Sequence, residues 1–339
     1  MKQYVVAVVG AMGAVGKEML DTLERRNFPV GTLKALDVEA NVGKEITFNG
    51  KQVKVELSCG EAFKGVDIAL FAVADKVSLT LAPEAVKNDA IVIDNSAAWR
   101  MDENTPLVVP EVNPEALREH KGIIANPNCS TIIAMVPLKP LHDYAGIKRI
   151  IASTFQAVSG AGIAGLNELR DQAQQVLNGE AIEPKAFAHQ IAFNLIPHID
   201  YFEENGYTHE EMKMFREGRK ILGIPDLMVN CTCVRVPVYR SHSESITIET
   251  ERPLTPEIVR EVLAKAPGVK VVDDPANKKY PMPVDTANQD LIYVGRIRED
   301  ISSDSKNGIT FWCSGDQIRK GAAVNAVQIA EKMVEMELI

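Results

Sequence analysis

Tyr4-Val5-Val6-Ala7-Val8-Val9-Gly10-Ala11-Met12-Gly13-Ala14-Val15-Gly16 is the stretch that decides the fold. Its apolar run is continuous rather than alternating, as expected of a parallel strand covered on both faces. The run passes directly into a GxxGxxG loop and then a helical stretch from Lys17 to Arg26. Glycines there permit a tight turn and let backbone N–H groups approach a pyrophosphate at a helix N-terminus. Gly10, Met12, Gly13, Ala14, Val15 and Gly16 are therefore candidate cofactor contacts.

Working outward, further strand candidates are Thr32–Leu36, Val66–Val73, Ala90–Ile93 and Ile123–Ala125, with helical segments such as Leu79–Lys87 between them. Strands alternating with helices predict an α/β fold that opens on a Rossmann-type, doubly wound parallel sheet. The second strand ends at Leu36-Asp37-Val38-Glu39. An acid about 20 residues past the glycines ordinarily bonds ribose hydroxyls and repels a 2′-phosphate, so Asp37 or Glu39 points to NAD. Lys44 is the nearest cation that could offset this.

From Lys148 onward the strands lengthen and alternate: Ile150–Val158, Val229–Tyr239, Ser245–Glu251, Val269–Val272, Leu291–Ile297 and Gly308–Cys313. Helices fit Ala164–Leu177, His209–Leu222 and Thr255–Lys265. This reads as an antiparallel or mixed sheet with helices on one face. The helical pattern from Gln317 to Glu337 is expected to return to the nucleotide domain, with Gln317 near the cofactor. At 339 residues two domains are the default. They are expected at 1–127 plus 318–339 (dinucleotide binding) and 128–317 (catalysis and oligomerisation).

Lys and Arg total 37 against 46 Asp and Glu, a net charge of −9. That balance offers no general attraction to nucleic acid or anionic lipid, so any anion site must be local. No run approaches the roughly 18 apolar residues of a membrane span, and no charged-then-apolar leader opens the chain. The five cysteines are odd in number and lack paired metal spacing, which disfavours a disulfide framework or a zinc site. A cytoplasmic enzyme acting on a small molecule, without metal, nucleic acid or membrane, is the expectation.

Asn126-Pro127-Asn128-Cys129-Ser130-Thr131 carries the chemistry. Cys129 stands between a short strand and a helix start, where unpaired N–H groups favour a thiolate and can hold an oxyanion formed on a carbonyl it attacks. With a dinucleotide loop in the same chain, this suggests an acyl group held on sulfur and reduced by hydride. Three residues could serve the thiol. Gln156 ends a strand before the small-residue loop Ser159-Gly160-Ala161-Gly162. His242 lies in Arg240-Ser241-His242-Ser243-Glu244, read as a loop between strands. Arg235 shares a strand face with Cys231 and Cys233 and needs an anionic partner such as a substrate carboxylate. Cys59, Cys231, Cys233 and Cys313 read as small buried hydrophobes.

The chain resembles the aspartate-semialdehyde dehydrogenase family over essentially its whole length. The resemblance is carried by the glycine loop, Asp94-Asn95-Ser96 with Arg100, Asn126 to Thr131, and Gln156 before Ser159 to Gly162. Glu210-Glu211-Met212-Lys213, and Arg235-Val236-Pro237-Val238 followed by His242, complete it. It implies reversible reductive dephosphorylation of L-aspartyl 4-phosphate to L-aspartate 4-semialdehyde, a step toward lysine, threonine and methionine. Cys129 matches the nucleophile, Gln156 the residue that orients substrate, and His242 the group that shuttles the proton. Arg235 and Glu210 match the groups that hold the carboxylate and amino ends. Arg100, Asn128 and Lys213 match the phosphate cradle, and Ser159, Gly160 and Gln317 lie on the cofactor side. The implied second domain is of the glyceraldehyde-3-phosphate dehydrogenase-like kind, and the implied assembly is a homodimer or tetramer. NADP is the cofactor implied by the family, whose NADP users carry serine and arginine near positions 38 to 41; this chain has Val38-Glu39-Ala40-Asn41 instead. N-acetyl-glutamyl-phosphate reductase shares the cysteine, histidine and nicotinamide, and a silent nucleotide-binding paralogue is the alternative from another class.

Overall fold

A computed structural model describes residues 2–303 and 307–339. The chain divides into two compact units, Met1–Asn128 with Ala322–Ile339, and Cys129–Gly321.

The first unit holds a seven-stranded sheet built from β1 (Tyr4–Val9), β2 (Val30–Asp37), β3 (Glu45–Phe48), β4 (Lys51–Leu57), β5 (Ile68–Phe71), β6 (Ile91–Asp94) and β7 (Ile123–Ala125), in the order β3-β4-β2-β1-β5-β6-β7. All pairings are parallel except β3 with β4. The apolar run of β1 is explained by its two coverings. Val6 and Val8 pack with Met19 and Leu23 of helix α1 (Ala14–Arg25) and with Val327, Ala330 and Met333 of the C-terminal helix (Val324–Glu335). Ala7 and Val9 face the opposite way, toward Phe63, Phe71, and Ala82 and Ala85 of helix α2 (Asp75–Lys87). Each valine so buried contributes roughly 1.5–3 kcal/mol. The order reverses at β1, between β2 and β5, and such a switch point opens a crevice at the strands' carboxyl ends.

The β1–α1 turn is closely packed. A Cβ on Gly16 would stand 2.1 Å from the Gly10 carbonyl oxygen. Backbone cannot swing aside as a side chain does, so Gly16→Ala is expected to destabilise the protein by about 1–3 kcal/mol. A urea titration checks this, and a loss inside about 0.5 kcal/mol, the range of neutral surface changes, would refute it.

The second unit is a six-stranded mixed sheet of β8 (Ile147–Gln156), β9 (Met228–Arg235), β10 (His242–Thr250), β11 (Val269–Val271), β12 (Ile292–Glu299) and β13 (Gly308–Gly315), ordered β11-β12-β13-β10-β8-β9. The β8–β9 and β11–β12 pairs are parallel and the others antiparallel. Helices α3 (Cys129–Ala145), α4 (Gly162–Asn178), α5 (His209–Leu222) and α6 (Pro256–Ala264) accompany it. The α/β class with a parallel-dominated first sheet and a mixed second one is as expected.

Several elements differ from expectation. The β3–β4 hairpin is additional. The C-terminal helix begins later than Gln317, through a π turn at Arg319–Ala323 before Val324. His242 is not in a loop: it is the first residue of β10 and fully buried.

Candidate active site

In the first unit, Gly10, Met12, Gly13, Asp37, Val38, Asn41, Ser58 and Ala72 to Ala74 line a cavity of about 380 Å³. Ala14 begins α1; Val15 packs against the core and Gly16 is buried, so these two support the turn rather than line the cavity. Asp37 accepts hydrogen bonds from the Met12 N–H (2.8 Å), the Val38 N–H (2.8 Å) and Asn41 Nδ2 (2.9 Å). Burial pushes its carboxyl up, but these donors outweigh it and hold the group below the usual carboxylate range. The cavity is thus a glycine-floored crevice with a fixed negative charge at its wall. Such a crevice fits a dinucleotide, whose adenosine ribose would meet Asp37 and Asn41. Lys44 is engaged with Asn41 Oδ1 at 2.6 Å, and residues Val38, Glu39 and Ala40 are exposed without a cation among them.

The same unit places Arg100 and Asn128, both buried. Arg100 donates from Nε to the Asn126 carbonyl (3.0 Å) and from Nη2 to the Asn95 carbonyl (2.8 Å). Asn126 is itself held by Asn95 and Asn325. The guanidinium is anchored by backbone beside the strand end that leads to Cys129, not a solvated surface cation.

In the second unit, sheet register assembles the reactive side chains. Arg235 of β9 pairs with Gln156 of β8, and His242 of β10 pairs with Gly315 of β13. Ser243 pairs with Phe155, so Gln156, Arg235 and His242 occupy one row at the ends of three adjacent strands. Cys129 opens α3, and its Sγ lies 3.5 Å from His242 Nε2. A Cβ on Gly321 would stand 2.9 Å from Cys129 Cβ, so that glycine gives the cysteine its room. Cys129 is half-buried, as a reactive thiol must be to meet a substrate; Cys231, Cys233 and Cys313 are buried, while Cys59, expected to be buried, is partly exposed.

Glu210 joins this row from α5. Its Oε1 accepts from Gln156 Nε2 (3.0 Å) and its Oε2 from Lys213 Nζ (2.9 Å). Lys213 also reaches Asp200 Oδ2 at 2.9 Å. Burial alone would lower the Lys213 ammonium, but Glu210 and Asp200 outweigh it and raise its affinity for the proton. Arg235 Nη1 donates to the Ala157 carbonyl at 2.7 Å. Burial makes its charge less favourable, and Glu210 and Cys129 partly restore it. The result is a cluster of fixed positive and negative groups set around Gln156. Gly160 is close by: a Cβ there would stand 2.8 Å from Arg235 Nη1. Ser159 Oγ accepts a hydrogen bond from Gln317 Nε2, and Gln317 Oε1 accepts from the Ser241 N–H at 2.8 Å.

Three contributors escape sequence reasoning. Thr154, fully buried, donates its hydroxyl to Gln156 Oε1 at 3.0 Å and so turns the amide nitrogen toward Glu210. The Ala157 N–H donates to His242 Nδ1 at 3.0 Å. Thr208 and Glu211 form a capping box, and Glu211 Oε1 also accepts from the Cys233 N–H (3.0 Å), which pins the start of α5 to β9. Only the last had a readable signal, Thr-x-x-Glu before an amphipathic stretch.

Residues 5–120 match the family described as "Semialdehyde dehydrogenase, NAD binding domain", and residues 138–320 match "Semialdehyde dehydrogenase, dimerisation domain". The chain is 52% identical to the aspartate-semialdehyde dehydrogenase of Bacillus subtilis, covering 98% of each chain. It is also 52% identical to that of Aquifex aeolicus, covering 99% of each. Among solved structures it is similar to aspartate semialdehyde dehydrogenase II of Vibrio cholerae complexed with ASA, at 47% identity and a TM-score of 0.95 over 99% of each chain. A probable aspartate-semialdehyde dehydrogenase from Pseudomonas aeruginosa superposes with a TM-score of 0.92 at 30% identity, over 98% of this chain and 99% of that one.

Proposed function

The chain belongs to the aspartate-semialdehyde dehydrogenase family, and we propose that it carries out that family's reaction through a thioester on Cys129. The reaction is the reversible reductive dephosphorylation of L-aspartyl 4-phosphate to L-aspartate 4-semialdehyde, an oxidoreductase step in amino-acid biosynthesis. A nicotinamide cofactor supplies the hydride. The observation that carries the thioester is the Cys129–His242 pair at the head of α3, 3.5 Å apart.

In this reading the Cys129 sulfur attacks the acyl carbon and phosphate departs. Gln156, locked between Thr154 and Glu210, orients the substrate. Arg235 receives the substrate's carboxylate and Glu210 its amino group, while Lys213, Arg100 and Asn128 serve the phosphate. A thioester accepts hydride more readily than an oxygen ester, because sulfur lends the carbonyl less resonance. The free amino acid's two charged ends suit the Arg235 and Glu210 pair better than an N-acetylated glutamyl substrate would. Gly10, Met12, Gly13 and Asp37 hold the dinucleotide, with Ser159, Gly160 and Gln317 on the side of the nicotinamide. The two domains follow the two units, and a homodimer or tetramer forms through the second. Among the described residues no helix is long and apolar enough to cross a membrane, and a cytoplasmic enzyme fits the reading.

The test is oxidation of L-aspartate 4-semialdehyde, followed as reduced nicotinamide, with and without phosphate. Turnover that requires phosphate supports the reading; equal rates without phosphate, or none at all, would sink it. Arg235→Lys keeps the charge but loses the planar two-pronged donor. It is expected to raise KM for the semialdehyde about 10- to 100-fold, the loss of a charged hydrogen bond of roughly 1.5–3 kcal/mol. An unchanged KM would remove Arg235 from substrate binding.

A further inference from the structure

We propose that Lys44, held by Asn41 at the rim of the dinucleotide crevice, is the cation that accepts a 2′-phosphate. The chain then takes NADP as well as NAD, and Lys44 sets the ratio between them. This inference rests on the reading of that crevice as the cofactor site.

Strand β2 delivers Asp37 to the wall of the crevice, and the short turn after it delivers Val38 and Asn41. Asn41 Nδ2 donates to Asp37 Oδ1 at 2.9 Å, which fixes the amide and leaves its oxygen for Lys44. That oxygen accepts from Lys44 Nζ at 2.6 Å. The backbone of Lys44 is fastened too. Its N–H donates to the Asn41 carbonyl (3.2 Å), and its carbonyl accepts from the Val55 N–H (2.8 Å) of β4, the strand beside β2. Ser58, just past β4, lines the same crevice and donates its N–H to the Asp37 carbonyl at 2.8 Å. Asp37, Asn41 and Lys44 thus form one chain of contacts from the wall of the crevice to its rim.

The charge of Lys44 is available at that rim. The side chain is exposed, and among the described residues no carboxylate lies within ion-pair distance of its ammonium. Its field nevertheless reaches the wall. Burial pushes the Asp37 carboxyl up, Asn41 and the Met12 and Val38 N–H groups outweigh this, and Lys44 adds to them. Val38, Glu39 and Ala40, the other residues of the turn, bring no second cation.

Asp37 is held by two backbone donors and cannot turn away from a 2′-phosphate on the ribose it faces. The opposing charge has to be met from the rim. Lysine suits this, because its ammonium is a point charge with three donors on a flexible four-carbon stem. One donor is spent on a neutral amide oxygen, so turning to a phosphate gives up one neutral hydrogen bond and gains a charged one. With NAD the ribose hydroxyls meet Asp37, and Lys44 stays on Asn41. One crevice then serves both cofactors, and only NADP depends on Lys44. The contact is exposed, so salt weakens it, with a Debye length of about 8 Å at physiological ionic strength.

The test is calorimetric titration of the full-length protein with NAD and with NADP, for wild type, Lys44→Met and Lys44→Arg. An exposed side chain is changed, so the fold should be indifferent. Wild type is expected to bind both cofactors. Lys44→Met should weaken NADP about tenfold and leave NAD within about twofold, whereas Lys44→Arg should hold NADP within about threefold of wild type. Raising salt from about 0.05 M to about 0.5 M should weaken NADP more than NAD in wild type, and the difference should vanish in Lys44→Met. The ratio of kcat/KM for the two cofactors should move with the ratio of dissociation constants. Failure of wild type to bind NADP, an NADP affinity untouched by Lys44→Met, or an equal loss for both cofactors would overturn the inference. The two levels separate cleanly. NAD binding with no dependence of NADP on Lys44 rejects this role and leaves the crevice as the cofactor site, whereas absence of binding by either cofactor counts against the crevice itself.

Discussion

Cys129→Ala is expected to lower kcat for phosphate-dependent oxidation of L-aspartate 4-semialdehyde by about 10⁴-fold or more, the scale on which removal of a covalent nucleophile acts. The size follows from what the side chain does. Without sulfur there is no thioester, and hydride transfer has no activated acyl group to draw on; His242 and Arg235 cannot replace a missing bond-forming atom. The fold should survive. Cys129 is half-buried at the first position of α3, and alanine is the best helix former, so neither a large cavity nor a propensity penalty is created. Semialdehyde should still bind through Arg235 and Glu210, so its dissociation constant is expected to change less than threefold, about 0.6 kcal/mol. Retention of more than about a hundredth of the wild-type rate, roughly 2.7 kcal/mol in barrier, would mean that the sulfur is not the acyl carrier.

The second large effect concerns the cofactor. Asp37 is buried at the cavity wall, kept ionised by three donors, and no cation stands among Val38 to Ala40. A 2′-phosphate would therefore meet a fixed negative charge and find no guanidinium. NAD is expected to be used at least comparably with NADP, and a preference for NADP above about a hundredfold in kcat/KM, roughly 2.7 kcal/mol, would contradict this. Replacing the wall charge and adding a fork in one variant, Asp37→Ser with Ala40→Arg, should move the NADP/NAD ratio of kcat/KM upward by about a hundredfold. Asp37 also braces the Met12 and Val38 N–H groups, so part of any loss with NAD will reflect the loop. The ratio between cofactors, measured on one protein, cancels that part. An unchanged ratio would show that the adenosine ribose does not sit against Asp37.

Which residues meet at the site was easier to read from the sequence than their local geometry. The unbroken apolar run of β1 and the glycines after it were readable because a strand covered on both faces and a close turn leave few other residue choices. The β3–β4 hairpin was equally written in the chain, since Asn49-Gly50, both with positive φ, is a two-residue turn between short alternating segments. Its charged residues made the flanks resemble a loop. His242 misled for a related reason: Arg240-Ser241-His242-Ser243-Glu244 is polar throughout, yet β10 starts at His242 because tertiary burial, not local propensity, places it. Thr154 and the Ala157 N–H were beyond reach. One is an ordinary strand threonine and the other is backbone, and each matters only because pairing with β9 and β10 brings Gln156 and His242 beside them.

The thioester is the claim on which the rest depends, and it can be caught. Mixing the protein with L-aspartate 4-semialdehyde and oxidised cofactor, without phosphate, should let oxidation proceed and leave the acyl group on sulfur with no acceptor. Intact-protein mass spectrometry with peptide mapping is predicted to show one added aspartyl group, confined to Cys129, removed by phosphate or hydroxylamine and absent in Cys129→Ala. A protein of unchanged mass that nevertheless turns over when phosphate is added, or an acyl group on any other residue, would contradict the account.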